Sequence, residues 1–432
     1  MDGSPEPRED GGPSGPPGRS DAGLVLPPAD VTVELPHGGE ATELVQVAAA
    51  PRRMDVHFSV DTTRSFDEEI DAMQDGLTDL MDALDAEVPE VSFGVSRFED
   101  FPVEPHGVEG DRPFELLTAI TSSRAAVTRG VADLDQPLGV GGDVPEAGYE
   151  ALYQIATGEG RDAPFPLEPF DGRAARGGGT LGGVGFRQDA LHVVVHVTDA
   201  PSHSPFSYGS RVPDTHSLGQ TVEALDAIEA KMVGIASRRP DAASPARPHL
   251  ESLALATGAV LPSDDDRCPT GIDGADNPSV DGVCPLVFDV ADDGTGLGEA
   301  IVDGLLSLLA TVAYDEVHGS VDDDRLAFVR AVEATSASPP AGAPEPDRVD
   351  RHPAGDGVLD TFVQVATGTE LTFAIHLRND TIPAEDYDQV FRVRVAIHGD
   401  GIVLAEPVVR VVVPARAPDA GADGSGDGGS AQ

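Results

Sequence analysis

The segment that most limits the fold is an almost wholly apolar run, LHVVVHV, from Leu191 to Val197. A strand with one face in water alternates apolar and polar residues, whereas a strand covered on both faces is apolar throughout. The run therefore predicts a central strand of a mainly parallel sheet with helices packed on it. His192 and His196 are four residues apart, but in a strand and without an intervening Glu this spacing does not indicate zinc. We expect both to be packed residues.

Strand-like and helix-like patterns alternate around this run, from Met54 to about Ala334. Such alternation predicts an α/β doubly wound domain. The predicted strands are Met54–Val60, Ser92–Val95, Leu191–Val197, Lys231–Ile235 and Val287–Val290. The predicted helices are Asp67–Asp85, Glu146–Thr157, Thr221–Glu229, Pro248–Thr257 and about Gly296–Val312.

Both flanks of this region have the period-two alternation of sandwich strands. Short strands are predicted before it and, after a Pro-rich linker at Ser336–Pro346, behind it. They are Val31–Leu35, Leu44–Ala48, Thr361–Val365, Glu370–Leu377, Gln389–Ile397 and Val408–Val413. Residues 1–22 and 417–432 combine Pro, Gly, Ser and charge without periodicity, so we expect a disordered leader and a disordered tail.

Charge excludes one class of function. The chain has 76 Asp and Glu against 28 Lys and Arg, a net charge of −48. This field repels phosphate backbones, so we expect no nucleic-acid partner. No stretch approaches the roughly 18 apolar residues of a membrane span, and the first 22 residues lack the apolar core of a signal peptide. We therefore expect neither a transmembrane segment nor a signal segment in this chain.

The two cysteines give an indication of where the protein is located in relation to the cell. Cys268 and Cys284 lie close together in an acidic loop and have no other thiol in the chain to pair with. A pair of this kind favours a disulfide in an extracellular or cell-surface protein over two idle thiols.

Acidic and hydroxyl residues stand where a doubly wound sheet binds its ligands, at the carboxyl ends of strands. Asp61, Thr63 and Ser65 follow the first strand, Glu146 begins a helix, and Asp199 follows the apolar strand. Oxygen ligands of this kind suit Mg²⁺, Mn²⁺ or Ca²⁺ and not zinc. The Asp-x-Thr-x-Ser element alone is more typical of ordinary turns and helix caps than of a metal site. All three elements together favour a metal site.

These segments resemble the von Willebrand factor A domain with a metal-ion-dependent adhesion site, and more specifically the I-like domain of integrin β subunits. The matching stretches are MDVHFSVDTTRSFDEEI (54–70), SFGV (92–95) with the acidic segment 98–105, DVPEAGYEALYQ (143–154), VGFR (184–187) with LHVVVHVTDA (191–200), and the helix 299–313. The resemblance implies a fold in which an α/β doubly wound A domain (54–334) is inserted into an all-β, hybrid-like sandwich (23–53 plus 335–416).

The resemblance also implies a function. Mg²⁺ or Mn²⁺ at Asp61, Thr63, Ser65, Glu146 and Asp199 would accept an Asp or Glu side chain presented by a protein partner. Such a chain is an adhesion or ligand-binding protein and not an enzyme. Two other interpretations stay open: a structural surface protein that uses the A domain as a scaffold, and an accessory A domain of a chelatase or hydrolase system. The oligomeric state is open as well.

Two neighbouring cation sites, suited to Ca²⁺, are also implied by the resemblance. One would use Glu68 and Glu69, which stand where the family has two Asp residues. The other would use Asp143, Glu146, the Pro145 carbonyl and either Asp100 or Glu99. Gly141 stands where the family has a ligating Asn, so this second site lacks one ligand.

The cysteine loop is a separate candidate, because it combines closely spaced Asp and Asn with Gly. Its acidic and amide residues are Asp264, Asp265, Asp266, Asp273, Asp276, Asn277 and Asp281. The composition is that of a Ca²⁺ loop, although the spacing is not that of an EF-hand. A solvated acidic loop fixed by the disulfide is the preferred interpretation.

Overall fold

A computed structural model describes residues 30–238 and 243–416 of the chain. The predicted leader (1–22), the predicted tail (417–432) and residues 23–29 of the first flank lie outside the described residues. Within the described ranges, none of the helices combines the length and the hydropathy that crossing a membrane requires.

The strands and helices follow the chain in an order that separates two kinds of segment. The strands are β1 (Val31–Glu34), β2 (Glu40–Ala48), β3 (Arg53–Asp61), β4 (Glu90–Phe98), β5 (Glu115–Thr121), β6 (Leu191–Thr198), β7 (Lys231–Arg238), β8 (Val260–Pro262), β9 (Arg267–Cys268), β10 (Asn277–Pro278), β11 (Val283–Pro285), β12 (Val287–Ala291), β13 (Ala313–Asp323), β14 (Val329–Ser338), β15 (Asp347–Val349), β16 (Thr361–Ala366), β17 (Glu370–Arg378), β18 (Gln389–Gly399), β19 (Ile402–Ala405) and β20 (Val408–Val413). The helices are α1 (Asp67–Glu87), α2 (Arg124–Ala132), α3 (Gly148–Thr157), α4 (Pro205–Tyr208), α5 (Leu218–Ala227), α6 (Arg247–Ala256) and α7 (Leu297–Thr311).

The central sheet has the order β12-β7-β6-β3-β4-β5. Its neighbours pair in parallel except β5, which runs antiparallel to β4 at the edge. Every residue of β6 is buried, so both of its faces are covered, as its apolar sequence predicts. Helices α1, α3, α5, α6 and α7 contribute apolar side chains to the same core. The predicted mainly parallel α/β sheet is confirmed.

The two flanks of the chain meet in a second core. One sheet has the order β1-β20-β18-β13-β16-β15, with β19 paired to β18, and a smaller sheet has the order β14-β17-β2. Phe362 of the first sheet and Phe373 of the second pack edge to face, with ring centroids 5.4 Å apart. β1 pairs with β20 and β2 with β17, so strands from both ends of the described chain close these sheets.

The strands of the second flank begin earlier than predicted. Strand β13 begins at Ala313 and pairs with β16 and β18, and β14 runs to Ser338, into the predicted linker Ser336–Pro346. The sandwich strands therefore return before residue 334, where the sequence placed the end of the α/β unit. The apolar pattern of α7 passes into β13 with no Gly or Pro between them, which hides the boundary.

The two units contact each other around Arg53, the first residue of β3. Its guanidinium donates to Glu90 at the start of β4 (3.0 Å), to Glu406 after β19 (2.8 Å) and to Asp189 before β6. The amide of Val403 in β19 donates to the carbonyl of Asp189 (3.0 Å). Strand β19 therefore packs on the amino-terminal edge of the parallel sheet, the edge opposite Asp61.

Candidate metal centre

The turn after β3 arranges three of the predicted ligands. Asp61 is fully buried, and its Oδ1 accepts hydrogen bonds from the Thr63 amide (3.0 Å) and the Thr63 hydroxyl (2.8 Å). The Thr63 and Ser65 hydroxyl oxygens are 3.1 Å apart. Ser65 itself is exposed, so this group of side chains reaches from the core to solvent.

Asp199 and Glu146 come to the same place from other parts of the chain. Asp199 follows β6, the neighbour of β3, and its carboxylate accepts a hydrogen bond from the Ser65 hydroxyl. The amide of Glu146 donates to the Pro201 carbonyl (2.9 Å), which holds Glu146 beside the loop that follows Asp199. A Cβ at Gly141 would lie 3.0 Å from Glu146 Oε1 and 3.6 Å from Thr63 Cγ2, so this carboxylate lies next to Thr63.

The negative charges of this group favour a bound cation. Burial raises the pKa of Asp61 to about 7, and the negative charge of Asp199 adds to the shift. Burial raises the pKa of Glu146 to about 11, with Asp61 the next contributor. Within the described part of the chain, no basic side chain pairs with these three carboxylates, and Glu146 Oε2 is buried without a hydrogen-bond partner. The donor set therefore fits a divalent ion with oxygen preference.

The two residues of the predicted neighbouring cation site, Glu68 and Glu69, differ in their exposure. Glu68 is exposed, whereas Glu69 is buried and accepts a hydrogen bond from the Ser237 hydroxyl at Oε1. Glu69 Oε2 has no partner among the described residues. Burial raises the pKa of Glu69 to about 7, opposed by the bond from Ser237 and increased by Asp199 and Asp292. Glu69 is therefore the better placed of the two for a cation.

Glu99 and Asp100, the two candidate ligands for the other neighbouring cation site, differ in what they contact. Glu99 accepts from the Thr62 hydroxyl and from the Arg112 amide, both at 2.6 Å, so each of its oxygens has a partner. Asp100 Oδ1 accepts from the Tyr208 hydroxyl at 2.6 Å, whereas its Oδ2 lies 3.2 Å from His203 Nε2, itself a possible metal ligand. Asp100 Oδ2 is therefore the better candidate ligand atom.

Gly141 and the start of α3 depart from the expected pattern. Gly141 has φ +66°, which a side chain disfavours, and a Cβ there would crowd Glu146. Helix α3 begins at Gly148 and not at Glu146, and Pro145 is half-buried immediately before Glu146. Glu146 therefore belongs to the loop that approaches Thr63, and not to the helix.

Two histidines near this centre were not predicted. His203 Nε2 lies 3.1 Å from Asp143 Oδ1 and 3.2 Å from Asp100 Oδ2, and His106 Nδ1 lies 3.3 Å from Asp143 Oδ2. The four side chains offer ligand atoms that all lie within 4.8 Å of one another. A usable signal existed, since each histidine follows a predicted acidic ligand by only a few residues, in a loop after a strand.

The cysteine loop carries a disulfide and exposed acids. Cys268 and Cys284 are bonded, with Cα atoms 5.4 Å apart. The Asp residues of the loop are exposed, and Asp276 pairs with Arg267 (3.2 Å). Among the described residues this loop contains no group of side chains arranged to hold a metal. The arrangement agrees with a solvated acidic loop fixed by a disulfide.

Solved structures that resemble the chain include two that are distant in sequence. No family profile matches the chain, and no curated protein matches it. A von Willebrand factor type A protein from Catenulispora acidiphila is 15% identical with a TM-score of 0.34, over 88% of this chain and 71% of that one. Proximal thread matrix protein 1 from the mussel byssus is 14% identical with a TM-score of 0.37, over 62% of this chain and 51% of that one. At these scores the fold description rests on the strand order alone.

Proposed function

We propose that this chain is a metal-dependent ligand-binding protein. A divalent cation, Mg²⁺ or Mn²⁺, would be held by Asp61, Thr63, Ser65, Glu146 and Asp199, and would accept an acidic side chain from a protein partner. The observation that carries the proposal is a group of three carboxylates at one edge of a parallel sheet, with Asp61 and Glu146 buried and Asp199 half-buried, and with no basic side chain paired to them among the described residues. Buried anions are unfavourable unless a counter-charge is present, and a bound ion provides one.

The surroundings of the site support a macromolecular ligand. Val144 and Phe206 are 65% and 95% exposed, and Val140 is also exposed. Val140 and Val144 lie on the loop that carries Glu146, and Phe206 lies in the short helix α4 that follows Asp199 in sequence. Large apolar groups in water beside a charged centre are typical of binding surfaces. A partner with an acidic residue flanked by apolar ones matches this chemistry.

The two-unit arrangement supports the same class of protein. An A domain inserted into a hybrid-like sandwich places the binding edge far from Arg53, where the sandwich makes contact. The disulfide agrees with an extracellular or cell-surface location. Ca²⁺ at Glu69 would be an additional ion in this scheme.

Isothermal titration of the metal-stripped chain with Mg²⁺ and Mn²⁺ tests the proposal. Wild type should bind, and Asp61→Asn should lower the affinity more than about tenfold, since a ligand oxygen is lost. Asp71→Asn is the matched control, because Asp71 is an exposed acid on the neighbouring helix α1. Equal affinity in wild type and Asp61→Asn would refute the site.

The partner requires its own measurement. Peptides with a single Asp or Glu should bind the Mg²⁺-loaded chain and lose binding in EDTA or when the acid is replaced by Asn or Gln. Metal binding without any metal-dependent peptide binding would favour the scaffold interpretation. Association that needs an ATPase partner would favour the accessory role in a chelatase system.

A further inference from the structure

We infer that Asp100, His106, Asp143 and His203 form a second metal site, of the kind that binds Zn²⁺ and not Ca²⁺. The site lies where loops after β4 and β6 meet the loop before α3. It shares Asp100 and Asp143 with the calcium site implied by the sequence, but the two histidines change its chemistry. The inference does not depend on an ion at Asp61.

The distances between the donor atoms suit a small tetrahedral ion. Such an ion, bound at about 2.0–2.2 Å, holds its ligand atoms about 3.3–3.6 Å apart. His203 Nε2 is 3.2 Å from Asp100 Oδ2 and 3.1 Å from Asp143 Oδ1, and His106 Nδ1 is 3.3 Å from Asp143 Oδ2. All four donor atoms lie within 4.8 Å of one another, so one ion can reach each of them with small movements.

Outer hydrogen bonds orient two of the ligands. His203 Nδ1 is 2.9 Å from the Ser207 hydroxyl, which leaves Nε2 directed at the two carboxylates. Asp100 Oδ1 accepts from the Tyr208 hydroxyl and the Phe101 amide, both at 2.6 Å, which leaves Oδ2 facing His203 Nε2. Ligands of metal sites are typically fixed in this way by a second ring of donors and acceptors.

The charge and burial of these four side chains also fit a Zn²⁺ site. Asp100 is fully buried and His106 and His203 are each 4% exposed, whereas Asp143 is exposed and gives an ion a way in. Two carboxylates and two neutral imidazoles balance the charge of one divalent ion. Imidazole is a common ligand of Zn²⁺, whereas Ca²⁺ and Mg²⁺ take oxygen ligands.

The site would add a further link between three loops that backbone hydrogen bonds already join, such as those from the His203 amide to the Glu146 carbonyl (2.8 Å) and from the Ala147 amide to the Glu99 carbonyl (2.9 Å). Asp143 stands three residues before Glu146, and His203 stands four residues after Asp199. An ion bound to both would fix the positions of two ligands of the Asp61 centre. We therefore expect Zn²⁺ to stabilise the loops around that centre without entering it.

The test is titration of the metal-stripped full chain with Zn²⁺ in a buffer containing excess Mg²⁺ and Ca²⁺. Wild type should bind one tight equivalent, and His106→Gln and His203→Gln should each weaken it more than about tenfold. His352→Gln is the matched control. His352 belongs to a separate group of side chains on the sandwich that could also hold a metal, namely Glu316, His318 and His352. Asp61→Asn should keep the Zn²⁺ site, which separates this outcome from failure of the proposed function.

Co²⁺ gives an independent readout, because a tetrahedral Co²⁺ site absorbs visible light far more strongly than an octahedral one. The wild-type spectrum should show the intense bands and His106→Gln should lose them, with circular dichroism confirming that both proteins are folded. Zn²⁺ isotherms that are equal in wild type and both histidine variants would overturn the inference. So would displacement of the bound Zn²⁺ by Ca²⁺, or loss of the tight equivalent in His352→Gln.

Discussion

The hydroxyl of Thr198 donates a hydrogen bond of 2.7 Å to Oδ2 of Asp61. The same hydroxyl accepts from the amide of Ala200 (3.0 Å). One side chain at the end of β6 therefore positions the buried carboxylate at the end of β3 and shapes the turn that carries Asp199. The arrangement ties the orientation of two proposed ligands to a residue that need not contact the ion.

Replacing Thr198 by Val removes this bond while keeping the shape of the side chain. We expect Mg²⁺ and Mn²⁺ affinity to fall by about tenfold, because loss of an outer hydrogen bond typically costs 10–100-fold in metal affinity. Thr198→Ser keeps the hydroxyl and should stay close to wild type. Isothermal titration of the three proteins measures the difference, and equal affinities in Thr198→Val and Thr198→Ser would contradict the role of the hydroxyl.

Replacing Glu146 by Gln should separate the effect of this carboxylate on the stability of the metal-free protein from its effect on metal binding. The pKa of Glu146 is raised from 4.5 to about 11, so the metal-free folded chain must keep a proton there that the unfolded chain releases. Metal-free stability therefore falls as pH rises above about 4.5, and the amide removes this contribution. At pH 8 in EDTA we expect Glu146→Gln to melt at least about 2 °C higher than wild type.

With Mg²⁺ the difference in melting temperature between the two proteins should shrink. Wild type gains about 2.7 kcal/mol at an ion concentration 100 times its dissociation constant, whereas the Gln variant lacks a ligand and gains less. Differential scanning calorimetry with EDTA and with Mg²⁺ measures both effects. A Gln variant that melts below wild type in EDTA would show that the carboxylate has a partner that we have not identified.

Much of the α/β unit could be predicted because its signals are local. The run Leu191–Val197 is apolar at every position that a doubly covered strand buries, apart from two histidines that bond to neighbouring groups. Asp61 and Asp199 each follow such a strand directly, so the parallel order of β3 and β6 suffices to bring them together. Asp61, Thr63, Ser65 and Asp199 could be predicted for this reason, whereas Glu146 follows no strand and was predicted as the start of a helix.

Other features depend on contacts between distant segments. Strand β13 is acidic and continues directly from α7, and only its pairing with β16 and β18 identifies it as part of the sandwich. His106 and His203 are 97 residues apart in sequence, and their rings lie 4.7 Å apart only because two loops fold over Tyr208. Each histidine lies a few residues after a predicted acidic ligand, but the sequence does not show that the two loops meet, so only the structure brings the histidines into one group.

The disulfide gives a prediction about stability. The bond between Cys268 and Cys284 closes a loop with a sequence separation of 16. By the chain-entropy relation, a loop of this length stabilises the folded state by about 3 kcal/mol. The double variant Cys268→Ser, Cys284→Ser should lose about that amount in urea unfolding. A loss below about 1 kcal/mol would mean that the loop is restrained by other contacts, such as that of Asn277 with Asp289.

Two histidines inside the sheet should make the protein sensitive to acid. His57 and His196 are almost wholly buried, and burial lowers the pKa of each to about 3. The unfolded chain protonates them below about pH 6.5 and the folded chain does not, so stability is present above that pH and is lost as pH falls toward 3. Each contributes up to about 1.4 kcal/mol per pH unit over this range. Urea unfolding between pH 6 and 4 should therefore give a shallower pH dependence in His57→Gln than in wild type, with an equal and additive change in His196→Gln. Parallel pH profiles for all three proteins would mean that the imidazoles take up protons in the folded state.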